Sequence, residues 1–194
     1  MRIIILLDKS GSMDTNKEET IHGYNEFLEN QKKLETADSC TVNLYTFSDS
    51  LDTVYENELL NNAEILTNEN YNPDGCTALL DSMGKILTKV EKEQGRTLFL
   101  IITDGDENSS SQYTHEMIKE LIETKKEYLE TVYIGSNQDA ILAGDRVGSQ
   151  VALNYNDNNT GQVYKNLSAA VTRVRNGFTP SIQFTQEEVN SLIE

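Results

Sequence analysis

Two short polar segments carry the side chains best suited to chemistry, and each follows or ends a run of aliphatic residues. The first is Asp8-Lys9-Ser10-Gly11-Ser12 after residues 3–7, and the second is Thr103-Asp104-Gly105-Asp106 at the end of the apolar segment 97–103. Continuous apolar runs of this length are typical of strands buried on both faces of a parallel sheet. Because parallel strands end at the same edge, we expect the carboxylates of Asp8 and Asp104 to face each other across a small space.

Two carboxylates at close range repel each other unless one is protonated or a cation lies between them. Lys9 does not fill this role, because side chains alternate along a strand and its ammonium should point away from Asp8. A hard divalent cation such as Mg²⁺ removes the repulsion and takes about six oxygen ligands. Serine and threonine hydroxyls supply neutral oxygens, and Gly11 relaxes the backbone between the two serines. The predicted metal site consists of Asp8, Ser10, Ser12, Thr77 and Asp104.

The other polar groups near these segments are interpreted as surface or structural residues. Asp81 follows Thr77 on a predicted helix and is expected to hold that loop by hydrogen bonds rather than to touch the ion. Cys76 is expected to be a small buried thiol. The residues expected mainly on the surface are Asp14, His22, Asp106, Glu107, Asn108 and His115.

Charge restricts the partners of this chain. Lys and Arg total 16 and Asp and Glu total 32, so the formal net charge is −16. Such a surface repels nucleic-acid phosphates and anionic membranes, so we expect neither as a partner. It favours divalent cations and basic protein surfaces.

Size and cysteine usage restrict the class of protein. The 194 residues suit a single domain, and no linker-like segment divides them. Two cysteines and two histidines exclude a disulfide framework and a histidine-rich metal centre. The apolar run near Met1 is too short for a secretion signal or a membrane span, so a cytoplasmic location is expected if Met1 is the natural start.

Strand and helix patterns alternate along most of the chain. Strands are predicted at residues 3–7, 41–47, 51–55, 97–103, 131–134 and 151–153. Helices are predicted at residues 15–34, 58–66, 77–93, 113–129, 139–147 and 161–175. The pattern predicts a Rossmann-like three-layer α/β sandwich, with a mostly parallel central sheet and helices on both faces. The short turn at 48–50 makes the strand at 51–55 an antiparallel edge strand.

The last residues differ from this pattern. We expect a main domain at 1–176 and a C-terminal extension at 177–194. The extension reads as a short strand at 181–184 followed by a capping box at 185–188 and a turn of helix. It either packs at an edge of the domain or stays mobile.

These motifs resemble the von Willebrand factor A (VWA, integrin I-like) family over roughly residues 1–175. The family's metal-ion-dependent adhesion site (MIDAS) combines Asp-x-Ser-x-Ser after a strand, a separate threonine, and the aspartate of a Thr-Asp-Gly segment. The matching positions here are Asp8, Ser10, Ser12, Thr77 and Asp104. Residues 134–139 and 143–144 resemble a group of short bacterial and phage VWA proteins.

The resemblance implies a function in binding rather than catalysis. In the family the serines and the threonine bind the ion directly, while the aspartates act mostly through water. One coordination position is left for a carboxylate of a partner protein. The implied ion is Mg²⁺, with Mn²⁺ or Ca²⁺ as alternatives, and the implied partner is a protein presenting a carboxylate.

Two other hypotheses remain open. A magnesium-dependent phosphatase or hydrolase also begins with an aspartate after the first strand, but haloacid-dehalogenase-type phosphatases need a second aspartate at the position of Ser10. The sequence contains no phosphate-binding Gly-x-x-x-x-Gly-Lys-Ser/Thr loop. A further hypothesis is a phage or bacterial protein that sequesters a host or defence factor. The oligomeric state stays open.

Overall fold

A computed structural model of the chain describes residues 1–136 and 139–193. Asn137 and Gln138, which belong to the segment 134–139, and Glu194 of the C-terminal extension lie outside the described residues. Six strands form the sheet: β1 (Arg2–Asp8), β2 (Thr41–Phe47), β3 (Leu51–Leu59), β4 (Thr97–Thr103), β5 (Leu129–Ser136) and β6 (Val151–Tyr155). The helices are α1 (Lys17–Lys32), α2 (Leu79–Leu87), α3 (His115–Lys125), α4 (Ala140–Val147), α5 (Thr160–Arg175) and α6 (Gln186–Asn190).

The strand order in the sheet is β3-β2-β1-β4-β5-β6. All neighbouring strands are parallel except β2 and β3, which pair antiparallel at one edge. This confirms the predicted Rossmann-like α/β architecture and its antiparallel edge strand. The chain order reverses between β1 and β4, and the carboxyl ends of strands at such a switch point are where open α/β sheets place their sites.

Helices cover both faces of the sheet. Alternate residues of β1 point to opposite faces, so Ile3 and Ile5 pack with Phe27 of α1 and Leu167 of α5. On the other face Ile4 and Leu6 pack in a second core. That core also contains Met83 and Ile86 of α2, Ile118 of α3, and Tyr133. Every residue of β1 and β4 is buried, which explains why both strands are apolar without alternation.

Two predicted elements are wrong. Residues 58–66 do not form a helix, because β3 continues to Leu59 and pairs with Thr41 before a short 3-10 turn at Leu60–Asn62. Residues 181–184 do not form a strand. The C-terminal extension nevertheless packs on the domain, since Ile182 and Leu192 are buried in the core on the α1 and α5 side.

Helices α1, α2 and α3 are shorter than the sequence predicts, whereas α5 matches its predicted bounds to within one residue. Helix α2 begins at Leu79 rather than at Thr77, because the backbone of Thr77 is hydrogen-bonded to Asn108. Among the described residues, no helix is long and apolar enough to cross a membrane.

Candidate metal centre

Three loops meet at the carboxyl ends of β1 and β4. We call residues 9–12 the first loop, residues 74–78 the second loop and residues 104–110 the third loop. Leu7 of β1 is paired with Ile102 of β4, so Asp8 and Thr103 reach the edge of the sheet side by side. The parallel pairing therefore brings together two segments that are far apart in sequence.

Asp8 anchors the first loop. Its side chain is fully buried, and Oδ1 accepts a hydrogen bond of 2.6 Å from the backbone N–H of Ser10. Oδ2 accepts a hydrogen bond from the hydroxyl of Thr103 on the neighbouring strand. The Tyr71 hydroxyl donates to the Asp8 carbonyl oxygen at 2.6 Å. Both carboxylate oxygens of Asp8 thus accept hydrogen bonds, which fix the first loop against the end of β4.

The second loop lies directly on the first. The N–H of Gly11 donates to the Gly75 carbonyl at 3.1 Å, and the N–H of Asp74 donates to the Lys9 carbonyl at 2.8 Å. Gly75 has φ of +84°, and a Cβ there would lie 2.1 Å from Oδ2 of Asp49. Only glycine fits this position without displacing the loop. The backbone contacts fix where Thr77 stands relative to the serines.

The third loop holds the second loop from the opposite side. The N–H of Thr77 donates to Oδ1 of Asn108 at 2.9 Å, and the N–H of Asn108 donates to the Thr77 carbonyl at 3.1 Å. Glu107 accepts at 2.9 Å from the N–H of Leu80, in the first turn of α2. Asn108 is exposed and Glu107 half-buried, which agrees with their interpretation as surface residues, yet both also make hydrogen bonds that position Thr77 and the start of α2.

The three hydroxyl side chains converge on one place. Oγ of Ser10 and Oγ of Ser12 are 3.1 Å apart. A Cβ added to Gly105 would lie 3.4 Å from Oγ of Ser12, 3.4 Å from Oγ1 of Thr77 and 3.9 Å from Oγ of Ser10. The absence of a side chain at Gly105 thus leaves a small space bounded by three hydroxyl oxygens.

The two carboxylates border this space. Oδ1 of Asp104 accepts a hydrogen bond of 2.5 Å from the hydroxyl of Ser12, and Asp104 is buried like Asp8. Burial first, and then the charge of Asp104, raise the pKa of Asp8 to about 6 against the hydrogen bonds that it accepts. Burial and the charge of Asp157 raise the pKa of Asp104. The anionic forms of Asp8 and Asp104 are therefore disfavoured at these positions. A cation bound between them would stabilise both anionic forms.

Lys9 does not neutralise these groups. Its ammonium forms an ion pair with Asp52 at 2.7 Å, as the alternation along the strand predicts. None of the ion pairs found among residues 1–136 and 139–193 includes Asp8 or Asp104.

The donor set fits a hard divalent cation. Carboxylate and hydroxyl oxygens are the ligands that Mg²⁺, Mn²⁺ and Ca²⁺ prefer. Within the described part of the chain, no group of three or more His, Cys, Asp or Glu side chains is arranged to hold a metal ion. An ion at this edge would therefore depend on the hydroxyls of Ser10, Ser12 and Thr77 to complete its shell.

Other residues singled out in the sequence have clear positions. The carboxylate of Asp81 accepts hydrogen bonds from the N–H groups of Ser111, Gln112 and Tyr113, so it holds the segment after the third loop rather than the second loop itself. Cys76 is exposed, and the interpretation as a buried thiol is wrong. His22 is exposed on α1, and His115 is half-buried at the start of α3.

Sequence reasoning missed two contributors to the site. Thr103 belongs to the second polar segment, but the sequence indicated no role for its own side chain; its hydroxyl holds Asp8 and accepts the N–H of Gly105 at 3.2 Å. Asp157, after β6, accepts a hydrogen bond from Ser136 and adds its charge near Asp104. No local pattern marks Asp157, because only the order of β4, β5 and β6 brings it to this edge.

No protein-family model matches the sequence, and no curated protein matches it. Solved structures do match. Proximal thread matrix protein 1 from the mussel byssus is 17% identical, with a TM-score of 0.63 over 88% of this chain and 47% of that one. The ArnB paralog VWA2 from Sulfolobus acidocaldarius is 14% identical, with a TM-score of 0.61 over 88% of this chain and 44% of that one.

The chain thus spans about half the length of these two proteins. BatB from Bacteroides thetaiotaomicron is closer in size: it is 13% identical, with a TM-score of 0.60 over 91% of this chain and 99% of that one. One structure of the mussel protein has zinc in its MIDAS motif. The strand order, the antiparallel edge and these matches over most of the chain show that this protein has the fold of a von Willebrand factor A domain.

Proposed function

We propose that this chain is a divalent-metal-dependent protein-binding module that captures an acidic residue of a partner protein. One observation carries the proposal: the hydroxyls of Ser10, Ser12 and Thr77 surround one small space beside two buried carboxylates. The VWA-like fold and the zinc-occupied MIDAS motif of the mussel protein support the same interpretation.

The proposed roles of the five residues differ. Ser10, Ser12 and Thr77 bind the ion through their hydroxyl oxygens. Asp8 balances its charge and holds the first loop, while Asp104 borders the ion from the third loop. The bound ion supplies a positive charge that attracts a carboxylate. Gly11 and Ser12 are exposed whereas Asp8 is not, so a partner reaches the centre from the side of the first loop.

Mg²⁺ is the proposed ion, because it is the usual hard cation for a set of carboxylate and hydroxyl oxygens and readily keeps water in its shell. Mn²⁺ and Ca²⁺ accept the same ligands. Zinc in the mussel structure supports occupation of such a site by a divalent ion without selecting Mg²⁺ here.

A phosphatase or hydrolase is the alternative that this geometry disfavours. A nucleophilic aspartate attacks through a carboxylate oxygen, but both oxygens of Asp8 already accept hydrogen bonds, from Ser10 and Thr103, which weakens either as a nucleophile. Position 10 is serine, so the second aspartate of haloacid-dehalogenase-type phosphatases is missing. Phosphatase activity with Mg²⁺ or Mn²⁺ that disappears in Asp8→Ala would contradict a pure binding module.

Metal binding is tested first by thermal unfolding. Millimolar Mg²⁺ or Mn²⁺ should raise the melting temperature of the wild type. When the ion is at 100 times its Kd, binding adds about 2.7 kcal/mol to the free energy of unfolding. Ser10→Ala and Asp104→Ala should lose this shift. Glu26→Ala is the control, because it removes one exposed acidic group from α1 far from the three loops. A wild type with no shift at millimolar metal would overturn the proposal.

Partner capture is tested by affinity purification from candidate host cells in Mg²⁺ and in EDTA. We propose a role in which the protein sequesters a host or defence factor, and the charge of −16 favours a partner with basic surroundings around the captured carboxylate. Partners should be lost in EDTA and with Asp104→Ala. Equal recovery in all three conditions would rule out the metal-bridged mechanism.

A further inference from the structure

A cleft separates α3 from α4 beside the candidate metal centre. Its upper part, which Leu79 and Glu107 line, has a volume of about 290 Å³. Its lower part, which Lys119 lines, has a volume of about 370 Å³. His115 and Arg146 line both parts. The two parts therefore adjoin at His115 and Arg146 within the cleft. We call it the α3–α4 cleft and define it by Leu79, Glu107, His115, Lys119 and Arg146.

The mouth of the α3–α4 cleft adjoins the second and third loops. Leu79 and Leu80 line it and follow Thr77 by two and three residues. Asp106 and Glu107 line it as well and follow Asp104 by two and three residues. The cleft therefore opens beside the loops that border the candidate metal centre.

Basic side chains gather in the lower part. Arg146 and Lys119 are exposed and His115 is half-buried. A Cβ added to Gly148 would lie 3.0 Å from Cγ of Lys119, which shows that the stem of Lys119 packs beside the end of α4, two residues after Arg146. The cleft thus brings three basic groups from two helices to one place.

The charges of Lys119 and Arg146 are not paired with carboxylates among the described residues. Within the described part of the chain, neither Lys119 nor Arg146 belongs to any ion pair, although acidic residues outnumber basic ones two to one. Seven other basic residues do pair with carboxylates: Lys9, Lys32, Lys89, Lys92, Arg96, Lys126 and Arg173.

Two acidic residues of the cleft, Glu107 and Glu116, form hydrogen bonds with neighbouring groups. Glu107 accepts hydrogen bonds from the N–H groups of Leu80, Ser109 and Ser110, and from the Ser110 hydroxyl. Glu116 is beside His115, and a hydrogen bond with Thr114 is the main cause that lowers its pKa. Asp106 stands at the mouth. The lower part of the cleft therefore keeps an excess of positive charge, at Lys119 and Arg146.

We propose that the α3–α4 cleft is a second binding site that takes an acidic side chain of a protein partner. The guanidinium of Arg146 matches a carboxylate in geometry and donates two parallel hydrogen bonds. Lys119 adds charge, His115 adds a ring N–H donor, and the apolar wall at Leu79 packs against the stem of the incoming side chain. The idea that one partner occupies both this cleft and the metal centre rests on the function proposed above. The cleft site itself does not depend on that function.

The probe for this site is a hexaglutamate peptide, titrated into the ¹⁵N-labelled full chain in EDTA. Backbone amides of His115, Lys119 and Arg146 should shift and saturate. The double variant Lys119→Gln/Arg146→Gln should weaken binding at least tenfold. The charge-matched control is Lys33→Gln/Lys165→Gln. It removes one basic group directly after α1 and one within α5, and this variant should bind the peptide as the wild type does.

The outcomes separate this proposal from the metal-dependent function. Equal weakening in both double variants would mean general charge attraction and would overturn the cleft site. Saturable binding of inorganic phosphate at the cleft without binding of the peptide would overturn the assignment to a carboxylate side chain. A tenfold gain in peptide affinity on adding Mg²⁺, absent in Asp104→Ala, would show that one peptide bridges both sites; no gain would overturn the bridging.

Discussion

The hydroxyl of Ser12 lies 2.5 Å from Oδ1 of Asp104, although the two residues are 92 positions apart in sequence. This hydrogen bond closes the space between the first and third loops. An ion bound by Ser12 would use a lone pair of the oxygen whose proton is donated to Asp104, so the Ser12 hydroxyl can hold the ion and the third loop at the same time. The pair therefore links metal binding to the position of the third loop.

Gly105→Ala should abolish metal binding while leaving the fold intact. The new methyl group would enter the space bounded by the hydroxyls of Ser10, Ser12 and Thr77, but at 3.4 Å or more from each oxygen it clashes with none of them. The Mg²⁺-dependent rise in melting temperature, roughly 2–4 °C per kcal/mol for a domain of this size, should disappear. Gly161→Ala is the control, since a Cβ there meets nothing within 4 Å. An undiminished metal shift in Gly105→Ala would place the ion elsewhere.

Asp8 should make the metal-free protein less stable as the pH rises. Its folded pKa of about 6 exceeds the ordinary value of 3.8, so the folded protein holds this proton more tightly than the unfolded chain does. The resulting stabilisation is complete below the ordinary value and is lost as the pH rises through about 6, and it amounts to roughly 3 kcal/mol. Urea unfolding in EDTA between pH 4 and pH 7 measures it.

Asp8→Asn provides the comparison, because the amide does not titrate. The difference in stability between wild type and Asp8→Asn should change with pH through this window, whereas carboxylates that do not interact with Asp8 contribute equally to both proteins. A constant difference would show that Asp8 does not titrate there. In Mg²⁺ the wild type should regain stability above pH 6, because the ion competes with the proton for the carboxylate.

Asn108→Ala should weaken Mg²⁺ binding without removing a ligand. Its side-chain oxygen accepts the N–H of Thr77 at 2.9 Å and so fixes the loop that presents the Thr77 hydroxyl. Groups that orient metal ligands typically change affinity by about 10–100-fold. Titration calorimetry with Mg²⁺ measures the change. Ser109→Ala in the same loop keeps the backbone bond to Glu107 and should bind Mg²⁺ normally; equal losses in both variants would refute a specific role for Asn108.

Asp81→Ala should destabilise the fold more than any exposed acidic substitution. Burial acts to raise the pKa of Asp81, but the three backbone N–H hydrogen bonds from Ser111, Gln112 and Tyr113 outweigh it and lower the pKa. Removing the carboxylate leaves three donors without this acceptor, so the free energy of unfolding should fall by about 2–4 kcal/mol. Urea unfolding gives the value, with the exposed Asp14→Ala as control. A loss below about 0.5 kcal/mol would mean that solvent replaces the carboxylate.

Local patterns predicted the sheet and named the five candidate metal-site residues, because both depend on short stretches of chain. Residues 3–7 and 98–102 are apolar throughout, which is typical of strands covered on both faces, and β1 and β4 confirm it. The same reasoning placed Asp8 and Asp104 at one edge, where they lie. It failed at 58–66, where periodic apolar residues suggested a helix but pairing with β2 extends the strand.

The sequence by itself determined the fold class, the antiparallel edge strand and the candidate ligands, because hydrophobic runs and the spacing Asp-x-Ser-x-Ser are local properties. Only the tertiary structure decided what holds those ligands in place. Asn108 reaches Thr77, Thr103 reaches Asp8 and Asp157 approaches Asp104 across the sheet order β1-β4-β5-β6. The α3–α4 cleft likewise arises from the packing of two helices. Contacts between distant segments depend on how the strands are ordered, and no local pattern of residues encodes that order.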